Sequence, residues 1–221
     1  QRKIKSTVGR VPLMGESTLG VVLAGGLATR MGGTDKGLLS LGHRTILDEV
    51  LNRLLPQVDV MIINVNGDPA RFSSYPLPCI PDSISGYLGP LAGVLAGLEY
   101  ARENGFEWIA SVAADTPFFP KDFVFRARAA ADEYNAPVVL ASSFDFERSK
   151  WMRHPTFGVW HVSLEQNLRD ALTDGIRKIV MWTDAVGGVD VRFEHKQGAL
   201  DPFFNVNTPD ELVIAQEGAH L

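Results

Sequence analysis

The sequence predicts an α/β fold, a doubly wound, mainly parallel sheet with helices on both faces in the Rossmann-like manner. Three observations predict it. Apolar runs alternate with helical patterns at the short spacing of βα units. The clearest runs, 19–24 and 108–113, are near-continuously apolar, as strands covered on both faces are. Residues able to carry chemistry follow directly after such runs, at the sheet's carboxyl edge, where doubly wound sheets bind ligands. A length of 221 residues suits one large domain of this kind.

Taken in order, Leu19 to Ala24 is a buried strand that runs into the tight turn Gly25-Gly26. Thr45 to Leu55 is a helix with Ile46, Val50, Leu51, Leu54 and Leu55 inward, opened by Thr45 and Asp48 at capping-box spacing. Val58 to Asn64 is the second parallel strand, and a short extended segment ends at Ile80-Pro81-Asp82. Pro90 stands at a first helical position and opens Leu91 to Ala101, where Leu91, Val94, Leu95 and Leu98 share a face. Trp108 to Ala113 is a strand running into Asp115-Thr116-Pro117. A helix then starts at Pro120 and continues to Tyr134, with Phe123, Ala127, Ala130 and Tyr134 inward. Pro137 to Ala141 is a further strand, and the polar stretch Ser142 to Arg153 reads as a loop. The back third is less regular: strand Phe157 to Trp160, helix Leu164 to Leu172, strand Val189 to Phe193, and a last helix Thr208 to Ala215 with Thr208, Pro209 and Glu211 as cap, first position and capping-box partner. Trp151, Trp160 and Trp182 are expected in the core.

Hydrophobic residues at 45% and charged residues at 21% exclude a disordered chain and a long coiled coil. Cys79 is the only cysteine, which excludes an intrachain disulfide and a cysteine-based zinc site, and points to a reducing compartment. No run approaches the roughly 18 apolar residues of a membrane span. A soluble, cytoplasmic protein is expected. The net charge of −5 is uneven: four basic residues against Glu16 give residues 1–17 a charge of +3, which leaves −8 on the remainder. An acidic body does not attract nucleic acid or a membrane, so a phosphate-bearing small molecule would need local positive groups. Residues 1–17 lack the apolar segment of a secretory signal and are expected to be a disordered tail. Residues 18–221 then form one domain.

The richest segment is Leu23 to Leu38, LAGGLATRMGGTDKGL. Its glycines offer backbone N–H groups to an anion without Cβ interference, and Arg30 and Lys36 add charge. It is not a Walker A loop, because no Gly-Lys-Ser/Thr ends it, and it lacks the glycine spacing of the dinucleotide fingerprint. On glycine content alone a mobile surface loop with two solvated cations fits equally. Asp115 projects at a strand end, where one carboxylate with waters and substrate phosphates would suit Mg²⁺. Taken alone it better suits a cap on the turn at Pro117, and Asp82 nearly as well suits the turn after Pro81. Asn64 and Asn66 alternate by two and share a face if the strand reaches them, although either could end it in a turn.

The run LAGGLATRMGGTDKGL closely resembles the signature of molybdenum cofactor guanylyltransferases, the MobA family of LAGG nucleotidyltransferases. Ala28 and Gly33 depart from the sugar-nucleotide pattern, which has Gly and Pro there, and follow the molybdenum family. The likeness continues through Leu54 to Val58, Ile63 to Asn66, Pro81-Asp82, Gly89 to Gly93, Asp115 to Phe118, His154 to Phe157 and Phe204 to Pro209, and so spans residues 19–215. Ala113-Ala114 replaces the Pro-Cys that often precedes the family's Asp-Thr-Pro, so a thiol there is dispensable.

The resemblance implies a nucleotidyltransferase fold with a GTP-binding front and a pterin-binding back third. It implies transfer of GMP from GTP to molybdopterin or its molybdenum-loaded form, with release of pyrophosphate. Leu23, Ala24, Gly25, Lys36, Asn64, Asp82 and Asp115 would bind the nucleotide, and Asp115 would hold Mg²⁺. Lys36, Arg30 and Asp115 would be catalytic, Arg30 as a clamp on the leaving pyrophosphate. His154, Arg177, Lys178, Asn205 and Asn207 would contact the pterin, together with Arg153. Read singly, His154 suits a structural role and Arg177-Lys178 an exposed helix face. Two rivals stay open: a cytidylyltransferase for the same pterin, and a non-catalytic nucleotide-binding carrier of the cofactor. Brief contacts with cofactor-inserting proteins or molybdoenzymes go with the family's role.

Overall fold

The computed structural model describes residues 17–25, 35–84, 86 and 89–218. Among them, seven strands form one sheet in the order β5-β4-β1-β6-β8-β7-β9. The strands are β1 Thr18–Leu23, β4 Val60–Asn64, β5 Cys79–Ile80, β6 Trp108–Ala113, β7 Val138–Asp145, β8 Lys150–His161 and β9 Val189–Phe193. Only β8 runs against the others, pairing antiparallel with β6 and β7. A separate two-stranded ribbon joins β2 Ser40–Leu41 to β3 Arg44–Thr45.

The helices are α1 Ile46–Leu54, α2 Pro90–Glu103, α3 Phe123–Tyr134, α4 Glu165–Thr173, α5 Ile179–Ala185 and α6 Pro209–Gly218. They cover both faces of the sheet. Neighbouring strand residues point to opposite sides, and the core divides accordingly. Val22, Ile63, Val112 and Val139 pack on α1 and α3 through Leu47, Val50, Leu54, Phe123 and Ala127. Val21, Ile62, Ile109 and Val138 pack on α2, α4 and α5 through Val94, Leu98, Leu168 and Trp182. The doubly wound expectation therefore holds, and Trp160 and Trp182 lie in the core; Trp151 is only half-buried. No helix among the described residues is long and apolar enough to cross a membrane.

Local signals account for the helix starts. Thr45 Oγ1 accepts from the Asp48 amide at 3.0 Å while Asp48 returns a carboxylate to the Thr45 amide at 2.8 Å. Thr208 and Glu211 repeat the exchange at α6. Two inward assignments and one helix start fail at helix margins. Leu55 belongs to a single 3-10 turn and is 57% exposed, Tyr134 ends α3 at 61% exposed, and α3 begins at Phe123 rather than Pro120.

The segment read as a loop, Ser142 to Arg153, is instead most of a β-hairpin. Its polarity misled because Ser142 and Ser143 are fully buried and satisfied by side chains: Ser142 Oγ donates to Asp190 at 3.1 Å, and Ser143 Oγ to Asp201 at 2.7 Å. α5 carried no cap signal and was not foreseen. Between Leu140, which faces Gly158, and Ala141, which faces His154, the ladder skips 155–157 on β8. Pro155 has no N–H to give the ladder, so a bulge forms there.

Five phenylalanines weld the carboxyl half of this sheet to α3. Phe123 lies 5.8 Å from Phe157, 6.1 Å from Phe193, 6.2 Å from Phe119 and 6.5 Å from Phe203. Its complete burial leaves no solvent route for a truncated side chain to relax into. Phe123→Ala is expected to cost about 3–5 kcal/mol, read by urea denaturation; a loss below about 1 kcal/mol would show that the cluster is not a keystone of the core.

Candidate active site

Four strand ends and a C-terminal segment meet at one cleft of about 410 Å³. Register brings them together: Leu23 of β1 sits between Asn64 of β4 and Ala113 of β6. Beyond the ladder the pairing continues, with the Ala24 amide donating to the Asn64 carbonyl at 2.9 Å and the Ala114 amide to the Leu23 carbonyl at 3.1 Å. Leu23, Gly25, Asn64, Asn66, Asp82 and Asp115 line the cleft, facing Thr156 and Asn205, with Gly89 and Pro90 at the start of α2.

On one side two asparagines hold a carboxylate. Asn64 Nδ2 donates to Asp82 Oδ1 at 3.0 Å, and Asn66 Nδ2 to Asp82 Oδ2 at 2.7 Å. Asn64 is 2% exposed, so its amide is committed to fixing Asp82 and the Ile80 carbonyl, at 3.3 Å. Close backbone approach makes this possible. A Cβ on Gly93 would stand 2.3 Å from Asn64 Oδ1, and one on Gly25 would stand 2.8 Å from Asn66 Nδ2. Arg71 ties the same side to the residue before Lys36: it donates to the Asn66 carbonyl at 2.7 Å and pairs with Asp35 at 2.8 Å. Burial pushes the Asp35 carboxyl up against the pull of Arg71.

On the other side Lys36 Nζ lies 3.8 Å from Asp115 Oδ2 and donates to Asn207 Oδ1 at 2.5 Å. Desolvation raises the pKa of Asp115, with Lys36 opposing it. Among the described residues its carboxylate takes a long contact from Thr116 Oγ1, at 3.5 Å, and one from its own backbone amide, besides that ion pair. Such a hard oxygen donor, in a cleft that Asn205 also lines, suits a divalent cation that takes most of its shell from water and phosphate. Among the described residues no cluster of three His, Cys, Asp or Glu exists that would suit a fully protein-caged metal.

The sequence-predicted residues separate into groups. Leu23, Ala24, Gly25, Asn64, Asp82 and Asp115 are brought together with Lys36, and Asn205 and Asn207 join them. Arg30 lies outside the described residues. Arg177 and Lys178 are exposed in the α4–α5 connection, and Arg177 is occupied by the carbonyls of Leu172 and Ile176 at 2.7 and 2.9 Å. Arg153 pairs with Asp184 and Asp190. His154 does not line the cleft: its Nε2 meets Ser143 Oγ at 2.7 Å, and its ring stacks on Phe203 at 4.3 Å. Thr156 of the same motif reaches the cleft instead, from the β8 bulge. Arg71 gave no signal in sequence, since its partners are 5 and 36 residues away.

Gly93→Ala should displace Asn64 and cost about 3 kcal/mol or more in a denaturant titration; a variant of unchanged stability would show that the helix stands off the strand. His154 gives a pH test. Burial lowers its pKa from 6.5 to about 4, with Asp201 opposing and His195 assisting. The unfolded imidazole therefore binds the proton more tightly, and the stability present above about pH 6.5 drains away toward pH 4, by at most about 3 kcal/mol. In His154→Gln that part of the acid slope should vanish from denaturation curves taken between pH 4 and 7; an identical slope would remove His154 as its source.

The family model for the MobA-like NTP transferase domain matches residues 20–186. A molybdenum cofactor guanylyltransferase of Nitrobacter hamburgensis is 44% identical over 207 residues, covering 92% of this chain and 95% of that protein. One of Yersinia pestis is 37% identical over 198 residues, covering 90% and 94%. Among solved structures, the molybdopterin-guanine dinucleotide biosynthesis protein A of Archaeoglobus fulgidus superposes with a TM-score of 0.70 at 21% identity over 92% of this chain and 98% of that one. The 2-C-methyl-D-erythritol 4-phosphate cytidylyltransferase of Thermus thermophilus does so at 0.66 and 16% identity, over 93% and 100%. The structural likenesses establish the nucleotidyltransferase fold. The sequence matches go further: the chain belongs to the MobA-like NTP transferase family.

Proposed function

We propose that this cleft binds GTP and transfers its GMP moiety to the terminal phosphate of molybdopterin or its molybdenum-loaded form, yielding the guanine dinucleotide cofactor and pyrophosphate. The observation that carries the reading is the meeting of Lys36 Nζ and Asp115 Oδ2, 3.8 Å apart at the end of the β1 backbone cradle, in a chain whose curated relatives are named for this activity.

In this reading an acceptor phosphate oxygen attacks the α-phosphorus as the bond to the β-phosphate breaks. The protein contributes alignment and charge. Backbone from Leu23 to Gly25 and the Lys36 ammonium hold the phosphates. Asp82, fixed by Asn64 and Asn66, is placed to accept hydrogen bonds from the nucleoside. Arg30 clamps the departing pyrophosphate. Asp115, in the cleft that Asn205 also lines, would hold Mg²⁺, which would neutralise charge on the phosphates when bound. Thr156, Asn205 and Asn207 face the pterin from the other wall. The assignment of Arg177 and Lys178 to the pterin has no geometric support from their partners. A cytoplasmic site of action and hand-over of the product to another protein belong to the same proposal.

Incubation with molybdopterin, Mg²⁺ and each nucleoside triphosphate should give a mass increase of one GMP, from GTP in preference to CTP; a CMP adduct would replace the guanylyl reading with the cytidylyl one, and no adduct would favour a carrier. Lys36→Met and Asp115→Asn should each lower pyrophosphate release on the order of 10²-fold or more while remaining folded. Chelation by EDTA should stop release and Mg²⁺ restore it. Unaltered turnover in Asp115→Asn would take Asp115 out of the chemistry.

A further inference from the structure

Ser143, on β7 above the bulge, is fully buried and its Oγ has two close partners, Asp201 Oδ2 and His154 Nε2, each at 2.7 Å. A carboxylate only accepts, so the single hydroxyl proton goes to Asp201, and His154 must donate its Nε2–H to Oγ. The arrangement therefore opposes that of a hydrolytic triad, in which the imidazole accepts from the serine. The three groups make a closed polar knot between the hairpin and the C-terminal segment.

The knot fixes one end of that segment. Asp201 Oδ1 accepts from the Phe203 amide at 2.7 Å, and its carbonyl from the Phe204 amide at 2.9 Å, forming a tight turn. Phe203 then lies under the stacked His154 ring and against Phe157 and Phe193 at 5.0 and 5.5 Å. The Val206 amide donates to the Asp115 carbonyl at 2.9 Å, and Asn207 takes the Lys36 ammonium. Between the knot and Lys36 the chain has no regular secondary structure.

We propose that Asp201, Ser143 and His154 form a latch that positions segment 203–207 across Asp115 and Lys36, acting as positioning residues for the acceptor wall of the cleft. His154 thereby serves the site through Phe203 and Ser143 rather than by touching substrate. The kinetic arm of the test rests on the transferase reading. The exchange arm does not.

In the full-length protein, Ser143→Ala and Asp201→Ala should each speed hydrogen exchange of the Val206 amide on the order of 10-fold. The Ala114 amide, bonded to the Leu23 carbonyl between β6 and β1, should keep its native rate. Asp201→Asn retains one acceptor oxygen and should fall between. In turnover with GTP and molybdopterin, kcat should drop or KM for molybdopterin rise by about the same factor, with KM for GTP within about twofold of the native value. Native exchange at Val206 in either folded alanine variant, or Val206 and Ala114 quickening together, would overturn the latch. Should one alanine variant fail to fold, the other and Asp201→Asn decide the matter by the same amides. Absence of any transfer by the native protein would sink the transferase reading and leave the exchange result to judge the latch alone.

Discussion

The site depends on a shared confinement: an ammonium and a carboxylate taken partly out of water and held close enough to attract, yet too far apart to consume each other. At 3.8 Å, Lys36 and Asp115 stand at attractive distance without the closest contact an ion pair can make. Either charge alone in that position would incur a desolvation penalty without compensation. Asn207 makes the pair tolerable by taking one ammonium proton, and the backbone at Val206 holds Asp115 from behind. Val206 and Asn207, 91 and 92 positions downstream of Asp115, are therefore part of the centre.

The two walls of the cleft are built by different means. The wall of Asn64, Asn66 and Asp82 is rigid because parallel strands β4 and β5 deliver its residues side by side, and because Gly25 and Gly93 let backbone come within reach of the amides. The facing wall has no ladder to rely on. It is an irregular stretch tied at intervals to aromatic rings, to a buried serine and to the centre itself. Such a stretch can be shaped to a large polar acceptor without disturbing the sheet.

Much of the front half was legible from residue order alone. Near-continuous apolar runs gave β1 and β6, a capping box gave the start of α1, and the motifs that follow strands placed Asn64, Asp82 and Asp115 at one cleft. That legibility has a physical source: local signals are read wherever the chain's neighbours in space are also neighbours in sequence. The back half broke this condition. Ser142 and Ser143 look like loop residues because their partners, Asp190 and Asp201, are 48 and 58 positions away. His154 carries the family motif, yet its role depends on Phe203, which no local pattern connects to it. In the front half, Arg71 was silent toward Asp35, 36 positions away, for the same reason.

The reversed direction of β8 brings the beginning of a strand, not its end, to the functional rim, and the bulge at 155–157 stands between the rim and the hairpin above. Below that irregularity the pairing of Gly158 to Trp160 with β6 and β7 is locked by packing; above it, residues 144–153 carry the hairpin past the last pair with β9, Ser143 with Phe193. An insertion or deletion around 146–149 would alter the reach of the hairpin without shifting the pairs beneath it. Descendants of this architecture can thus remodel the hairpin while inheriting the wall of Asn64, Asn66 and Asp82 intact.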